Sequence, residues 1–318
     1  MKKVLVTGGT GFLGAHVVRR LLKKKDLEYV VVPTTKIRDV TTIDKLQAKD
    51  KKVKQIQGDI RDFDFTQRMF NEYEFDTVFH LAAMSEVRKC QSNPKLAFDT
   101  NINGTINILE SCRMSKHIKA VVVSSSDKAY GSSPVPYKEE YCLDGKGVYE
   151  VSKSCTDLIA RSYNYNYKLP VTVTRCSNLY GEGDLNYSRI IPNTIRLAAS
   201  GKQPLVWTGA ENFIREFIYI EDAVDAYFAL ATNINKAAGN SYNIGSGEKI
   251  TVGDLVKMIL TLMSSNVGVD FKHRTFPEIS SQFLDSSKIQ QDTGWSSTTK
   301  LEEGLRKAIK YYVGEEND

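Results

Sequence analysis

The sequence contains no long hydrophobic run. Its apolar stretches, such as residues 30–32 and 121–123, are short, whereas a membrane-spanning helix needs roughly 20 residues. The first strand pattern follows Met1 almost at once, which leaves no room for a signal or transit peptide. We therefore expect a cytoplasmic protein with no membrane partner.

Cysteine is scarce and irregularly placed. The five cysteines are odd in number, stand far apart and include no Cys-x-x-Cys pair. A disulfide framework or a zinc site requires paired cysteines at closer spacing. We therefore predict reduced, mostly buried thiols and no metal site.

Charge of one sign is not in large excess either. The 43 Lys and Arg residues against 38 Asp and Glu residues leave a net charge of +5. Many of the extra lysines lie at residues 23–25 and 45–54, where no aromatic residues interleave to stack nucleic-acid bases. These segments are typical of solvated helix faces, and we predict no nucleic-acid partner.

The first half of the chain alternates strand and helix patterns. Short apolar or β-branched runs predict strands at residues 3–7, 29–32, 53–57, 77–81, 120–124 and 171–174. Helical spacing of apolar residues predicts helices at 15–24, 98–114 and 149–165. This alternation is typical of a parallel sheet that helices cover on both faces.

The second half differs, because glycine, asparagine and proline divide it into shorter segments after about residue 180. It contains an amphipathic helix predicted at 252–263, which Thr251 could cap, and a last helix at 301–313. We predict an α/β fold: a Rossmann-type doubly wound parallel sheet in residues 1–175, to which later segments return. A smaller C-terminal α/β substrate-binding lobe should form mainly from residues 176–318.

A glycine-rich turn joins the first strand to the first helix. Gly8, Gly11 and Gly14 have the spacing that allows a tight turn, a close approach of a pyrophosphate and close helix packing. The pyrophosphate would lie at the helix N-terminus, where free N–H groups favour an anion. The flanking strand and helix make the motif specific, so we predict an NAD or NADP site that also includes Phe12 and Leu13.

The end of the second strand lacks the acidic residue that usually binds the adenosine ribose. Residues 32–38 include Thr34, Lys36 and Arg38, and the first carboxylate is Asp39. Because a carboxylate would repel a 2′-phosphate that these three residues could hold, the segment favours NADP over NAD. Two alternatives stay open: the three residues lie in a solvated loop, or Asp39 turns inward.

Asp59 and Ile60 follow the third predicted strand. The Asp59 carboxylate could accept a hydrogen bond from the adenine amino group. A simple turn residue is the alternative at this position.

Tyr149 and Lys153 stand four residues apart, so they share one face of a helix. A lysine ammonium beside a phenol favours the phenolate and should lower the pKa of Tyr149. Such a tyrosine can take the proton of a sugar hydroxyl while hydride leaves the same carbon.

The polar segment 124–131 follows the fifth predicted strand and therefore lies at the carboxyl edge of the sheet, where ligands of open α/β sheets bind.

Four motifs belong together: Gly-Gly-Thr-Gly-Phe-Leu-Gly at 8–14, His-Leu-Ala-Ala at 80–83, Ser-Ser-Ser-Asp-Lys-Ala-Tyr-Gly at 124–131, and Arg-Glu-Phe-Ile-Tyr-Ile-Glu-Asp at 215–222. With Tyr149 and Lys153, they resemble the extended short-chain dehydrogenase/reductase family, whose members are nucleotide-sugar epimerases and dehydratases. The resemblance runs nearly end to end, through Asp-Ser-Ser-Lys-Ile at 285–289.

The resemblance implies a role for each matching residue. Ser126 would hydrogen-bond the 4-hydroxyl of the sugar, Tyr149 would remove its proton, and Lys153 would bind the nicotinamide ribose and tune Tyr149. Asn101 falls at an ordering asparagine and Asn178 at a contact to the substrate diphosphate, with a helix cap and a turn as the respective alternatives. Further cofactor contacts are implied at Leu81, Ala82 and Ala83, and further substrate contacts at Ser85, Arg189, Ile191, Val206 and Arg215.

The reaction depends on the two residues after Ser126. In 4-epimerases of the family these positions are usually small or neutral, whereas here they are Asp127 and Lys128. Ser-Asp-Lys is similar to the CDP-glucose 4,6-dehydratases, as is the segment 181–192. The resemblance implies that Asp127 protonates the departing C6 hydroxyl and that Lys128 removes the C5 proton.

The sequence therefore predicts a lyase that converts an NDP-hexose, with CDP-glucose favoured, to the NDP-4-keto-6-deoxyhexose. A tightly bound NAD or NADP would be regenerated in each turnover. UDP-, GDP- and dTDP-sugars stay open as substrates. The rivals are a 4-epimerase in which Asp127 and Lys128 only shape the pocket, a regulatory cofactor-binding protein and a reductase. A further alternative is that Asp127 and Lys128 merely pair with each other. The family also implies a homodimer through the helices at 98–114 and 149–165.

Overall fold

The structure is a computed structural model that describes residues 1–36, 41–46, 48, 50–273 and 279–315. The strands are β1 (Lys3–Thr7), β2 (Tyr29–Thr34), β3 (Val53–Gln57), β4 (Thr77–His80), β5 (Ala120–Ser124), β6 (Val171–Cys176), β7 (Asn178–Tyr180), β8 (Leu205–Trp207), β9 (Ile214–Tyr219), β10 (Ser241–Ile244), β11 (Lys249–Thr251), β12 (Asp270–Lys272) and β13 (Ser281–Gln282).

The helices alternate with these strands through most of the chain. They are α1 (Phe12–Leu22), α2 (Thr42–Lys45), α3 (Phe63–Tyr73), α4 (Val87–Ser92), α5 (Pro94–Phe98), α6 (Gly104–Met114), α7 (Val148–Tyr167), α8 (Ile190–Ala199), α9 (Ile220–Thr232), α10 (Ile234–Ala237), α11 (Val252–Leu262), α12 (Ser287–Thr293) and α13 (Leu301–Glu315). A π-helical turn at Asp99–Asn103 joins α5 to α6, and 3-10 turns lie at Asp127–Tyr130 and Ala210–Asn212.

A seven-stranded sheet with the order β10-β6-β5-β4-β1-β2-β3 forms the centre of the fold. All of its strand pairs are parallel. The strand order reverses direction at β1, as in a doubly wound Rossmann-type sheet. The predicted α/β class and parallel sheet are therefore confirmed.

Alternation of buried residues along the strands explains why helices cover both faces of this sheet. Val4 and Val6 of β1 pack into a core with α1 and α9, whereas Leu5 between them packs into a second core with α3 and α6. Because successive side chains point to opposite faces, a strand buried on both sides consists of consecutive apolar residues.

The strands outside the central sheet form smaller sheets. Strand β9 pairs with β7, β11 and β13, and β8 pairs with β12. Helices α8, α11 and α13 cover this region around a separate apolar core. Strand β10 comes from the second half of the chain yet forms the edge of the central sheet. The boundary near residue 175 stays a prediction.

Most predicted elements agree with the structure to within a few residues, and Thr251 caps α11 through an Asp254 N–H to Oγ1 bond of 3.1 Å. The helix predicted at 98–114 is present, although residues 99–103 form a π-helical turn with wider i→i+5 hydrogen bonding and not an α-helix. All five cysteines are free thiols, three of them buried. Among the described residues, no helix is long and apolar enough to cross a membrane, and no group of His, Cys, Asp and Glu side chains could hold a metal ion.

Candidate active site

The glycine-rich turn after β1 is shaped for a dinucleotide. Gly8 has a φ of +72°, and a Cβ atom there would lie 2.8 Å from the backbone nitrogen of Ala82. A Cβ atom on Gly14 would overlap the carbonyl oxygen of Gly8. Gly11 immediately precedes α1 and provides no side-chain cap. The first N–H groups of the helix are therefore left to donate hydrogen bonds to an anion. A cofactor diphosphate therefore fits this turn.

A buried pair of side chains fixes the strand end that faces this turn. The Thr7 hydroxyl accepts hydrogen bonds from the N–H groups of Leu81 and Ala82, both at 3.2 Å. Its own hydrogen is therefore directed to His80 Nδ1, 2.7 Å away. Burial, aided by the Lys153 charge, lowers the pKa of His80 to about 3, so the imidazole is neutral. This neutral histidine ties the ends of β1 and β4 together.

Asn101 lies within the π-helical turn and is buried. Its Oδ1 accepts the Met84 N–H at 2.7 Å, and its Nδ2 donates to Met84 O at 3.1 Å and to Ser152 Oγ at 2.9 Å. The side chain therefore joins the loop after β4 to α7, one residue before Lys153. This position excludes the helix-cap alternative and supports an ordering role.

Asp59 is engaged with its neighbour Arg61. The guanidinium Nε donates to both carboxylate oxygens at 3.0 and 2.9 Å, and these hydrogen bonds lower the pKa of Asp59. The predicted contact of Asp59 with adenine stays a prediction, as does that of the buried Ile60 beside it. Thr34 donates to Lys36 O at 2.9 Å, Lys36 is exposed, and Arg38 lies outside the described residues.

Tyr149 and Lys153 lie on α7 with exposed fractions of 9% and 4%. Lys153 Nζ donates to Ser124 O at 2.7 Å, at the end of β5. Burial lowers the pKa of Lys153 to about 8 and raises that of Tyr149 to about 12, although the Ser126 hydroxyl acts in the opposite direction on Tyr149. The predicted lowering of the Tyr149 pKa is wrong for the polypeptide by itself, because the cost of burying a phenolate exceeds the effect of its neighbours.

Ser126 and Asp127 begin the 3-10 turn after β5. The Ser126 hydroxyl accepts the Lys128 N–H at 3.2 Å and donates to Asp127 Oδ1 at 3.1 Å. Asp127 is 4% exposed, and burial raises its pKa despite the opposing charges of Lys128 and Arg215. A buried carboxyl with a raised pKa favours the protonated form, which a general acid requires.

The Lys128 side chain, on the same turn, forms its hydrogen bond with Gln282 and not with Asp127. Its Nζ donates to Gln282 Oε1 at 3.1 Å, and no ion pair joins it to Asp127 within the part of the chain that the structure describes. The alternative in which the two residues only pair with each other is therefore not what the structure contains. Sequence reasoning misses Gln282, since no motif surrounds it and 154 residues separate it from Lys128.

Two further predicted residues, Arg215 and Asn178, lie on β9 and β7. The buried Arg215 guanidinium donates to Ile214 O at 2.9 Å and to Ile279 O at 2.7 Å, and its charge acts on Asp127. Asn178 lies at the start of β7, not in a turn, and donates to Glu216 O at 3.0 Å.

The remaining predicted substrate residues occupy varied surroundings. Arg189 precedes α8, donates to Asp184 Oδ2 at 3.0 Å and acts electrostatically on Tyr149. Ser85 is exposed in the loop after β4. The side chains of Ile191 and Val206 pack into apolar cores, so only their backbone groups are left for the predicted contact with substrate.

The chain matches the family model described as GDP-mannose 4,6 dehydratase over residues 5–308. It is 30% identical to a trifunctional UDP-glucose 4,6-dehydratase/UDP-4-keto-6-deoxy-D-glucose 3,5-epimerase/UDP-4-keto-L-rhamnose-reductase of Arabidopsis thaliana over 98% of its length. This chain spans about half, 47%, of the length of that relative. It is also 30% identical to a dTDP-glucose 4,6-dehydratase of Salmonella typhimurium, covering 98% of this chain and 92% of the relative.

Solved structures of two kinds share the fold. A dTDP-glucose 4,6-dehydratase of Bacillus anthracis in complex with NAD superposes with a TM-score of 0.88 at 26% identity, covering 100% of this chain and 98% of the other. A UDP-glucose 4-epimerase of Thermotoga maritima superposes with a TM-score of 0.90 at 25% identity, covering 98% and 99%. Overall shape alone therefore does not separate a dehydratase from an epimerase.

Proposed function

The chain belongs to the GDP-mannose 4,6 dehydratase family, and on that basis we propose that it is a nucleotide-sugar 4,6-dehydratase. It would convert an NDP-hexose to the NDP-4-keto-6-deoxyhexose through oxidation at C4, loss of water across C5 and C6, and return of hydride to C6. The observation that carries this proposal is the arrangement of Asp127 and Lys128. The two groups are adjacent, beside Ser126, and are not consumed by an ion pair with each other.

We propose NAD as the cofactor, in place of the NADP that the sequence favours. The Bacillus anthracis dehydratase holds NAD, and the Thr34 hydroxyl is already bonded to Lys36 O. The turn from Gly8 to Gly14 would hold the diphosphate, and Lys153 the nicotinamide ribose. When bound, NAD would supply a hydride acceptor for C4 and a hydride donor for C6, so no cofactor would be consumed.

In the oxidation, Tyr149 takes the proton of the C4 hydroxyl. The Ser126 hydroxyl, which donates to Asp127 Oδ1 in the structure, turns to donate its hydrogen bond to the C4 oxygen when the sugar binds. Tyr149 must be ionised to do so, and its burial opposes this. The ammonium of Lys153, one helical turn away and anchored to Ser124 O, supplies positive charge on the same side.

In the dehydration, the C4 ketone acidifies the C5 proton, and neutral Lys128 removes it. The C5–H electron pair forms the C5–C6 double bond, the C6–O bond breaks, and Asp127 protonates the departing hydroxyl to give water. Hydride then adds at C6 and Lys128 returns its proton to C5. Tyr149 now holds one proton more than at the start and Asp127 one fewer. Ser126, which donates to Asp127 and lowers the Tyr149 pKa, is placed to pass that proton on.

For the nucleotide, we propose dTDP-glucose or UDP-glucose ahead of the CDP-glucose that the Ser-Asp-Lys motif favours. The relatives from Salmonella typhimurium and Arabidopsis thaliana are named for these two substrates. The rival 4-epimerase is supported by the Thermotoga maritima structure. The buried Asp127 and the separately anchored Lys128 argue against an epimerase, because epimerisation at C4 needs neither group.

The test is mass spectrometry of CDP-, UDP-, GDP- and dTDP-glucose after incubation with the protein and NAD. A product lighter by one water, formed without net change in NADH, supports the dehydratase and identifies the nucleotide. An isomer of unchanged mass contradicts it and indicates the epimerase.

We also propose a homodimer that forms through α6 and α7. Exposed apolar side chains lie on both helices: Ile106 and Met114 on α6, and Leu158 and Tyr165 on α7. Burying such side chains stabilises an interface by about 25 cal/mol per Å² of apolar surface. Light scattering should give the mass of a dimer, and Leu158→Glu should reduce it to that of a monomer. A monomeric wild-type protein contradicts this part of the proposal.

A further inference from the structure

Gln282 is held rigidly at the edge of the candidate site. Its side chain is 1% exposed, and strand β13 aligns it opposite Arg215 of β9 in a parallel pairing. Two residues on, the Leu284 N–H donates to Glu216 Oε2 at 3.0 Å, which ties β13 to β9 a second time. The amide group therefore has a fixed place beside the turn that bears Asp127 and Lys128.

Only one of the two polar atoms of the buried Gln282 amide has a hydrogen-bond partner within the described ranges of the chain. Oε1 accepts the Lys128 Nζ at 3.1 Å, whereas Nε2 has no hydrogen-bond partner among the described residues. A buried donor without a partner costs about 1–3 kcal/mol, so such groups are rare unless a ligand completes them. The unpaired Nε2 lies in the same amide group that holds the lysine proposed to act at C5.

The chemistry of the proposed dehydration explains why an amide, and not a carboxylate, stands here. A lysine that removes a proton must be neutral, with one lone pair directed at the C–H bond. A neutral amine can donate an N–H to an amide oxygen, which fixes the direction of its lone pair. A carboxylate in the same place would form an ion pair with the ammonium and keep the lysine protonated.

We propose that Gln282 is the positioning residue for Lys128 and that its Nε2 donates to an oxygen of the bound hexose. This inference deepens the proposed 4,6-dehydratase and rests on it. Gln282 holds the Lys128 amine through Oε1 and the sugar through Nε2, so a single rigid amide sets the position of the base relative to C5. It takes no part in the oxidation at C4.

The experiment compares Gln282→Leu, Gln282→Glu and the control Ser281→Ala. Ser281 precedes Gln282 on β13 and pairs with Ile214 of β9. Each protein, loaded with NAD, is mixed with the nucleotide hexose that the wild type dehydrates. Absorbance of the reduced nicotinamide follows oxidation at C4, and mass spectrometry follows water loss. Thermal unfolding of each variant checks the fold.

At a saturating concentration of the nucleotide hexose, which offsets the lost contact to the sugar, we expect Gln282→Leu to oxidise C4 at close to the wild-type rate and to accumulate reduced nicotinamide. Water loss should be about 10²-fold slower, since a misplaced base costs about that factor. Gln282→Glu should dehydrate poorly at neutral pH and recover as the pH rises, with the midpoint displaced upward by about 1–3 pH units because the added carboxylate favours the ammonium. Ser281→Ala should match the wild type in both steps.

Three results would overturn the inference. One is wild-type water loss in Gln282→Leu, and another is an equal loss of both steps, which assigns Gln282 a purely structural role. The third is an unchanged pH profile in Gln282→Glu. If the wild type itself removes no water from any nucleotide hexose, the proposed function fails, and this result is distinct from the other three.

Discussion

The two halves of the candidate site are assembled over very different distances along the chain. The redox half consists of Tyr149 and Lys153, which share α7, with Lys153 anchored to the end of the neighbouring strand β5. The dehydration half consists of Asp127, Lys128 and Gln282, and its lysine is anchored 154 residues away. The half proposed for hydride chemistry is therefore local, whereas the half that decides the product depends on two distant segments meeting.

Burial also acts differently on the two halves. It raises the pKa of Tyr149 to about 12 and lowers that of Lys153 to about 8, so it opposes both charged forms that the redox half uses. In the dehydration half burial raises the pKa of Asp127, which favours the protonated form that an acid needs. Burial thus favours the protonated Asp127 that the dehydration needs, but it disfavours the ionised Tyr149 that the oxidation needs.

The largest effect should come from Tyr149→Phe, which removes the proposed base of the redox half. Without oxidation at C4 the C5 proton is not acidic, so both halves should stop. We expect turnover to fall by about 10²–10⁴-fold, the usual contribution of a general base. Reduced nicotinamide should not accumulate when absorbance is followed after mixing with substrate. Normal turnover in this variant would show that Tyr149 is not the base, and the proposed redox half of the site would then be wrong.

Lys153→Met should lose activity yet gain stability. The folded-state pKa of about 8 lies below the ordinary 10.5, so the unfolded chain binds more protons between these values and stability rises with pH across that window. Below pH 8 the fold carries the cost of a buried cation that has no carboxylate partner among the described residues. We expect the variant to gain about 1–3 kcal/mol in the free energy of unfolding at pH 7.

Urea unfolding at pH 7 and at pH 10.5 measures this gain. It should shrink at the higher pH, where the wild-type lysine is neutral in the folded protein and only half protonated in the unfolded chain. Lys153→Arg, which keeps the charge, should show no such gain. A variant less stable than the wild type at pH 7 would show that the hydrogen bond to Ser124 O outweighs the cost of burial.

The smallest effect concerns His80, whose ring bonds Thr7 at the end of β1 and Thr105 of α6. Its pKa of about 3 lies below the ordinary 6.5, so as the pH falls through that window the unfolded chain takes up a proton and the folded protein does not. At pH 5 this should cost about 2 kcal/mol of stability relative to pH 7. In His80→Gln that part of the acid sensitivity should disappear, and parallel pH dependence in the two proteins would contradict the buried neutral histidine.

The sequence predicts the fold and the redox half of the site better than it predicts the dehydration half. Strands β1 and β5 are predicted with the observed bounds because their apolar runs end at polar or turn residues. The bounds predicted for β3, where only Val53 and Ile56 are apolar, also agree with the structure. The π-helical turn at Asp99–Asn103 escapes prediction, since its wider period resembles that of an α-helix over one turn. Motif spacing brings Tyr149 and Lys153 together, but the direction of the Tyr149 pKa depends on burial, which spacing does not contain.

The dehydration half is only partly predictable. Asp127 and Lys128 are adjacent in the chain, so the motif finds them. Their environments are not adjacent: Lys128 meets Gln282 of β13, and Arg215 of β9 acts on Asp127. Contacts of this kind follow from the pairing of β13 with β9, which no local pattern encodes.

The measurement that tests the division most directly is a single mixing experiment with Lys128→Met, NAD and the nucleotide hexose that the wild type dehydrates. Met keeps the length of the side chain and removes the base. We expect reduced nicotinamide to form and persist, while water loss falls by about 10²–10⁴-fold. Water loss at the wild-type rate would contradict it, because the base would then lie elsewhere and Asp127 and Lys128 would not form the half of the site that decides the product.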